Sequence, residues 1–406
     1  AFPLPDPLGK PFELGKCSQP DCGAYVLNSD SDVCPTCEQA GMAVTPLYEP
    51  KGFRTDYMPR AFEEDDSDVA PMAGQTQLVA GSVPQTSNVV YKAHLGVHDQ
   101  ARTVQVNENF GKGFDFVNQK DLSVVLRGAQ IRASGGGVVT VKDDADFEGV
   151  FLGAIKTSDV LVIELKDVAL PQGAIRFDSS AGKSALWSFS EALRRGCEAE
   201  LDLPQQELEV GLHPVRHGQI PTAAVFIADA LQNGAGYAVE LGTEDRFERV
   251  LNKVHSDLKA KWENSGHQDR CTTSCPDCLR SYDNRRLHGY LDWRLAIDSV
   301  ELALGKELDL SRWFSGVQVK LQAIEQSNPQ VIGELVQELW TLRNEETKRA
   351  VVLAHPLWSL EADLLNNQQK QAQSELESLG YQVQHFSLFD LDRKPISLMT
   401  KLGMIG

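Results

Sequence analysis

The stretch Cys271-Thr272-Thr273-Ser274-Cys275-Pro276-Asp277-Cys278-Leu279-Arg280-Ser281-Tyr282-Asp283-Asn284-Arg285-Arg286-Leu287-His288 decides how the rest of the chain is read. It carries three thiols on short turns, a spacing that suits a metal better than a disulfide framework. Zinc takes four ligands in a tetrahedron, so one is still owed. His267, just upstream, is the first candidate. His288 and Cys197 remain as alternatives. Cys197 sits on an apolar helical stripe, where a free thiol behaves as a small hydrophobe.

A second cysteine group lies near the start. Cys17-x4-Cys22 and Cys34-x2-Cys37 form two knuckles, with Gly23 and Pro35 beside the ligands as turn residues. Two such turns on adjacent hairpins supply a closed, four-cysteine zinc ribbon, a structural or docking element with no open coordination position. The expected cofactor is therefore zinc, at two sites.

Composition sets the wider limits. The 406 residues are too many for one ordinary domain. At 42% hydrophobic and 24% charged, the chain can bury real cores. The net charge of -18 argues against a free-standing nucleic-acid binder, so any DNA contact must be local or shared with another domain. No apolar run is long enough to span a membrane. The opening Ala1-Phe2-Pro3-Leu4-Pro5 is not a signal peptide. The chain reads as a cytoplasmic fragment or a processed piece of something larger.

Working outward from the cysteines, residues 1–46 read as the zinc ribbon. Residues 47–90 read as a linker or irregular strands, with the acidic run Glu63-Glu64-Asp65-Asp66 as a solvated loop. From about 88 to 166, β-branched runs such as Val160-Leu161-Val162-Ile163 predict an antiparallel sheet. Helices follow. Leu186, Phe189, Leu193, Cys197 and Leu201 recur at helical spacing, as do Phe247, Leu251, Val254, Leu258 and Trp262, and again Trp293, Ile297, Val300 and Leu304. A strand at Ala223–Ala228 lies among them. Past residue 306, Ile332, Leu335, Leu339 and Leu342 predict a helix. A strand (Ala350 to Ala354), a helix (about Glu361 to Leu379) and a strand (Tyr381 to Leu388) then predict a βαβ unit. The fold class is mixed α/β, or α+β. A zinc ribbon comes first, a β-then-α zinc-binding core spans 91–305, and a small α/β unit spans 306–406.

The pattern Cys-x3-Cys-Pro-x-Cys-Leu-Arg-Ser-Tyr-x-Asn-x3-His-x2-Leu-Asp, from Cys271 to Asp292, resembles the MrfA-type zinc-binding (MZB) domain. Asp229 with Gly234-Ala235-Gly236-Tyr237, Leu152-Gly153-Ala154, Thr157-Ser158-Asp159-Val160-Leu161 and Gly52-Phe53-Arg54-Thr55-Asp56 are similar to other stretches of that family. One departure stands out: the family's helicase form uses four local cysteines, and this chain offers three. The resemblance implies a region near the end of a superfamily-two DNA helicase, or a helicase partner of bacterial antiphage systems such as DISARM and Druantia. It implies a non-catalytic module that helps hold single-stranded rather than duplex DNA.

The residues allow such a contact. Arg280, Arg285 and Arg286 crowd the zinc loop, and Tyr282 or Tyr290 can stack on a base. The competing reading is a set of Arg–Asp pairs bracing the loop. Asn233 and Gly234 open a helix after a strand, where free amides suit a phosphate. A pure docking scaffold without DNA affinity remains the first alternative.

Catalysis finds little support. A motor needs Gly-x4-Gly-Lys-Ser/Thr. Gly182-Lys183-Ser184 is present, but Phe177 stands where the first glycine belongs. A metal-dependent nuclease using Glu164 and Lys166, with Asp159 or Asp146, is the second alternative. His355, Asp390, Asp392, Arg393 and Lys394 follow strands at positions where α/β folds place ligands, but a structural turn with a packed Trp358 is the stronger reading.

Overall fold

The computed structural model describes residues 2–3, 11–50, 76–80, 83–109, 111–118, 123–132, 137–142, 144–314, 316–391 and 393–405. The 52–56 stretch, the acidic run at 63–66 and Asp392 lie outside the described residues. The fold is mixed α+β.

After a two-residue strand at Phe2–Pro3, three strands form one unit: β1 (Phe12–Cys17), β2 (Tyr25–Leu27) and β3 (Met42–Tyr48), joined antiparallel with β1 in the middle. They continue directly into the main sheet. The long strands β4 (Ala93–Asn107) and β5 (Phe147–Leu165) run antiparallel along nearly their whole length, with a bulge between Ser158 and Val160. The first half of β5 also pairs in parallel with β3, Phe151 to Leu47 and Leu152 to Tyr48.

Helix α1 (Ser180–Glu200) follows, capped by Ser179, whose hydroxyl accepts from the Gly182 amide at 2.9 Å. The hairpin β6 (Leu208–His217) and β7 (Ile220–Asp229) then returns to the sheet, with β7 pairing β5 at Val160–Ile163. Strand periodicity sorts the apolar run of β5 onto two faces. Leu161 and Ile163 join the core beneath α1 together with Val225 and Ile227. Val160 and Val162 join Leu78, Ala101, Ala224, Phe226 and Ala228 on the other side. Both faces are covered, so the sequence shows continuous hydrophobicity instead of alternation.

The expected long helix through Trp262 is interrupted. An α-helix, α2 (Glu244–Lys253), gives way to a π-turn at Val254–Leu258 and then to a last turn at Lys259–Trp262. Val254 packs against Gly196 of α1, where any Cβ would collide with it. Helix α3 (Trp293–Ala303) begins at Asp292, whose side chain caps the Arg294 amide and also holds the Arg294 guanidinium.

The last part is a four-stranded sheet. After α4 (Val317–Ser327) come β8 (Val331–Val336), β9 (Leu339–Asn344) and β10 (Arg349–Ala354), then α5 (Asn367–Ser378) and β11 (Gln382–Ser387). β8, β9 and β10 are antiparallel, and β10 and β11 are parallel, as a βαβ unit requires. The helix expected through Ile332, Leu335, Leu339 and Leu342 is instead the β8–β9 hairpin. Its two central residues, Gln337 and Glu338, both take positive φ (49° and 62°), the tight reversal that suits twisted strands. α5 starts at a capping box formed by Asn366 and Gln369, later than the sequence suggested.

A buried polar cluster ties this sheet to the middle of the chain. Arg312 meets Asp298, Glu263 at 2.9 Å and Glu301 at 3.1 Å. Asp298, wholly buried, also accepts from Trp313 Nε1 at 2.8 Å. His355, at the end of β10 and wholly buried, places Nε2 3.2 Å from the same carboxylate. Its Nδ1 accepts from the Leu357 amide at 3.1 Å, which leaves the proton on Nε2, facing Asp298. The strand ends that α/β folds offer to ligands are thus filled here by α3 and the Ser311–Phe314 turn. Asp390 pairs with Lys394 at 3.0 Å, and Arg393 lies over Phe389. No described helix is long and apolar enough to cross a membrane.

Candidate metal centres and the zinc loop

The ribbon brings its four cysteines together and buries all of them. Cys17 Sγ and Cys37 Sγ are 3.6 Å apart, and Cys22 Sγ and Cys34 Sγ 3.8 Å. A zinc–sulfur bond of about 2.3 Å gives a tetrahedron with an edge of about 3.8 Å. A disulfide needs about 2.05 Å. The donor set therefore has the dimensions of a metal cage, and the cysteines are free thiols. Burial pushes the Cys22 thiol up. At Cys34 burial also acts upward, but amides of Cys37 and Thr36 outweigh it and hold the thiol below its ordinary value.

The second group joins His267, Cys271, Cys275 and Cys278, with all ligand atoms within 4.8 Å of one another. Cys271 Sγ and Cys278 Sγ are 3.9 Å apart, and Cys275 Sγ lies 3.6 Å from His267 Nε2. The mixed edge expected for zinc with sulfur and imidazole is about 3.5 Å. His267 Nδ1 is 3.0 Å from the Trp262 carbonyl oxygen, so Nδ1–H donates there and Nε2 keeps its lone pair for a cation. Trp293 packs edge-on against the same imidazole, and its Nε1 donates to the Cys271 carbonyl at 3.2 Å. Burial raises the Cys278 thiol, and the Cys275 amide, which donates to Cys278 Sγ at 3.0 Å, opposes that rise. Both groups are able to hold zinc.

Neither alternative fourth ligand joins the group. Cys197 is wholly buried in the apolar core, and burial raises its thiol. His288 faces the inside of the loop, with Nε2 3.0 Å from both the Ser281 carbonyl oxygen and Asn284 Oδ1. Buried Asn284 completes this clamp. It accepts from the Ser281 amide and donates to the Leu279 carbonyl, each at 2.8 Å.

The arginines divide into inner and outer sets. Arg280 donates to Ser274 Oγ at 2.9 Å, and its carbonyl accepts from Arg195 at 2.9 Å. Arg285 and Arg286 are exposed, and the Arg285 guanidinium lies 4.0 Å from the Tyr282 ring centroid. Asp283 is engaged by Gln206 at 2.8 Å. Bracing by an Arg–Asp pair holds at Arg294 and Asp292.

The glycine loop departs from its expected role. The amides of Ala235, Tyr237 and Ala238 already donate to Asp229, at 2.6, 3.1 and 2.8 Å, and the Gly236 amide donates to Asp159 at 3.0 Å. The Asn233 amide reaches the Thr157 carbonyl at 2.8 Å, and the Gly234 amide the Leu231 carbonyl at 3.2 Å. A Cβ at Gly234 would strike the Asp159 carboxylate. Two carboxylates occupy the place a phosphate would take, so this loop is a capping device. Asp229, read from sequence only as a strand end, is its centre.

Glu164 pairs with Lys166 at 2.6 Å, and it belongs to no group of three or more candidate metal ligands among the described residues. Asp159 and Asp146 are each committed to backbone amides elsewhere, those of Gly236 and Asn118.

Comparison with known proteins finds one likeness at the second centre. No curated protein matches the chain. Among solved structures, the crystal structure of the DUF1998 helicase MrfA bound to DNA overlaps 56% of this chain at 10% identity, with a TM-score of 0.30. That overlap spans 24% of the helicase chain. The family model of the MrfA Zn-binding domain matches residues 189–279, from the middle of α1 to just beyond Cys278. The segment that supplies His267, Cys271, Cys275 and Cys278 is thus similar to the MrfA Zn-binding domain.

Proposed function

We propose that this chain is a non-catalytic, zinc-stapled accessory region of a DNA helicase or helicase complex, and that it assists in holding single-stranded DNA. The observation that carries the reading is the zinc loop. Its inner face is spent on the metal group and the Asn284–His288 clamp, while Tyr282, Arg285, Arg286 and Tyr290 stand exposed on its outer face. Exposed arginines beside aromatic rings suit a phosphodiester strand with unstacked bases. Arg280 supports the loop from within through Ser274. Asn233 and Gly234 take no part, because the amides around them answer to other groups.

In this reading zinc is held by Cys17, Cys22, Cys34 and Cys37 in the ribbon (1–46), and by His267, Cys271, Cys275 and Cys278 in the core (91–305). The C-terminal unit (306–406) braces that core. The motor is a separate domain or subunit. The setting is the bacterial cytoplasm, in antiphage defence, as the family resemblance implies.

Binding of the zinc-loaded chain to labelled single-stranded and duplex DNA across a salt series tests this. Arg285→Ala and Arg286→Ala should each weaken binding and make the plot of log affinity against log salt shallower by about one unit. No binding by the intact chain at low salt removes the DNA reading and leaves a protein-docking scaffold.

A further inference from the structure

We infer that Tyr282 and Arg285 form a stacking site for one unpaired nucleobase. This rests on the DNA reading above and names what the loop takes hold of. Tyr282 is 74% exposed, more than any other large hydrophobic side chain among the described residues. The Arg285 guanidinium covers one face of its ring at 4.0 Å. With one face covered and most of the residue still in solvent, the opposite face is open.

The ring stands on a stiff base. The Ser281 amide and carbonyl on one side of it, and Asn284 and His288 on the other, are joined in one hydrogen-bonded clamp. The Cys275–Cys278 turn lies directly upstream. An aromatic ring held this way loses little freedom when a flat partner lands on it.

The surroundings select the partner. Asp283 and Arg286 are exposed in the same loop and Arg285 lies over the ring, so charge stands beside this aromatic where the dry centre of a protein interface would be depleted of it. A nucleobase needs only a π-face, and the guanidinium beneath adds cation–π attraction through the ring. Bases in a duplex have both faces covered, so the site takes an unpaired base.

The test uses the zinc-loaded full chain and single-stranded oligonucleotides carrying 2-aminopurine, normal bases or an abasic site. Tyr282→Leu should keep the metal content and melting temperature, because the side chain is exposed. It should weaken binding to the normal strand by roughly 5- to 150-fold, the usual worth of one stacked base. Tyr282→Trp should restore it, and 2-aminopurine fluorescence should be quenched by the wild type and not by Tyr282→Leu. A wild type that binds abasic and normal strands equally, or a Tyr282→Leu variant with unchanged affinity, overturns the stacking site while DNA binding stands. A wild type that binds no strand at low salt overturns both.

Discussion

The imidazole of His267 donates through Nδ1 to the carbonyl of Trp262 at 3.0 Å, and this one contact fixes which ring nitrogen faces the three thiols. The carbonyl sits at the end of a helix whose register is shifted by a π-turn just before its last turn. The histidine is therefore oriented by the core and not by the loop alone.

Replacing His267 with Ala should reduce bound zinc from two per chain towards one, measured by elemental analysis after desalting. His267→Cys should restore the second ion, because sulfur at that position supplies the missing tetrahedral donor. Equal zinc content in wild type and His267→Ala would assign the fourth ligand elsewhere.

Arg312→Met should destabilise the chain by about 3–5 kcal/mol in denaturant unfolding, because it strands the buried Asp298 without its cation and leaves Lys259 as the cation on Glu301. Pairing it with Asp298→Leu should recover part of the loss, read as a coupling term in a double-mutant cycle. Additive losses would mean the two residues act separately.

Stability should fall as pH drops from about 6.5 to 4. Burial lowers the pKa of His213 to about 4, with a hydrogen bond from the ring to the Leu78 backbone opposing the shift. Burial likewise lowers His385 to about 4. Each ring binds a proton more weakly in the folded chain, so the unfolded chain holds more protons in that window. The contribution is present above pH 6.5 and worth roughly 3 kcal/mol per ring at full shift. His213→Gln should flatten the difference in melting temperature between pH 7 and pH 5. An unchanged slope would exclude His213 as a source.

Gly196→Ala should cost about 1–3 kcal/mol, because the added methyl runs into Val254 where α1 meets the π-turn. Shortening the neighbour, in Gly196→Ala with Val254→Ala, should return part of it. A neutral Gly196→Ala would show that the two helices part easily.

Much of the zinc chemistry was legible because a zinc knuckle is local. Cys34-x2-Cys37 and Cys275-x2-Cys278 announce their turns within four residues. The fourth ligand was narrowed to three candidates, since spacing says nothing about which way a ring points; the Trp262 carbonyl supplies that information in space. The β8–β9 hairpin was hidden because Ile332, Leu335, Leu339 and Leu342 fit a helical period, while its turn uses Gln337 and Glu338 in place of the glycine or asparagine that marks such reversals. The Phe247-to-Trp262 stripe concealed the π-turn, because its apolar residues recur at the three- and four-residue steps that an uninterrupted helix also shows. His355 and Asp298 come from distant parts of the chain, and a long-range polar pair leaves no trace in local pattern. The glycine loop looked like an anion site until the position of the Asp159 and Asp229 carboxylates was known.

The pairing of β5 with both β3 and β4 bears on how the protein could gauge distance. Phe151 and Leu152 in its first half pair with Leu47 and Tyr48, where the strand β3 leaves the ribbon, and its second half is woven into the sheet beneath α1. Ribbon and sheet are pinned again by Arg216 to Asp21 at 2.9 Å, and by Lys16 and Tyr25 to Glu108 at 2.8 and 2.7 Å. The ribbon is therefore no swinging arm. Whatever it touches and whatever the second zinc loop touches are held on one frame, at a separation set by the sheet between them.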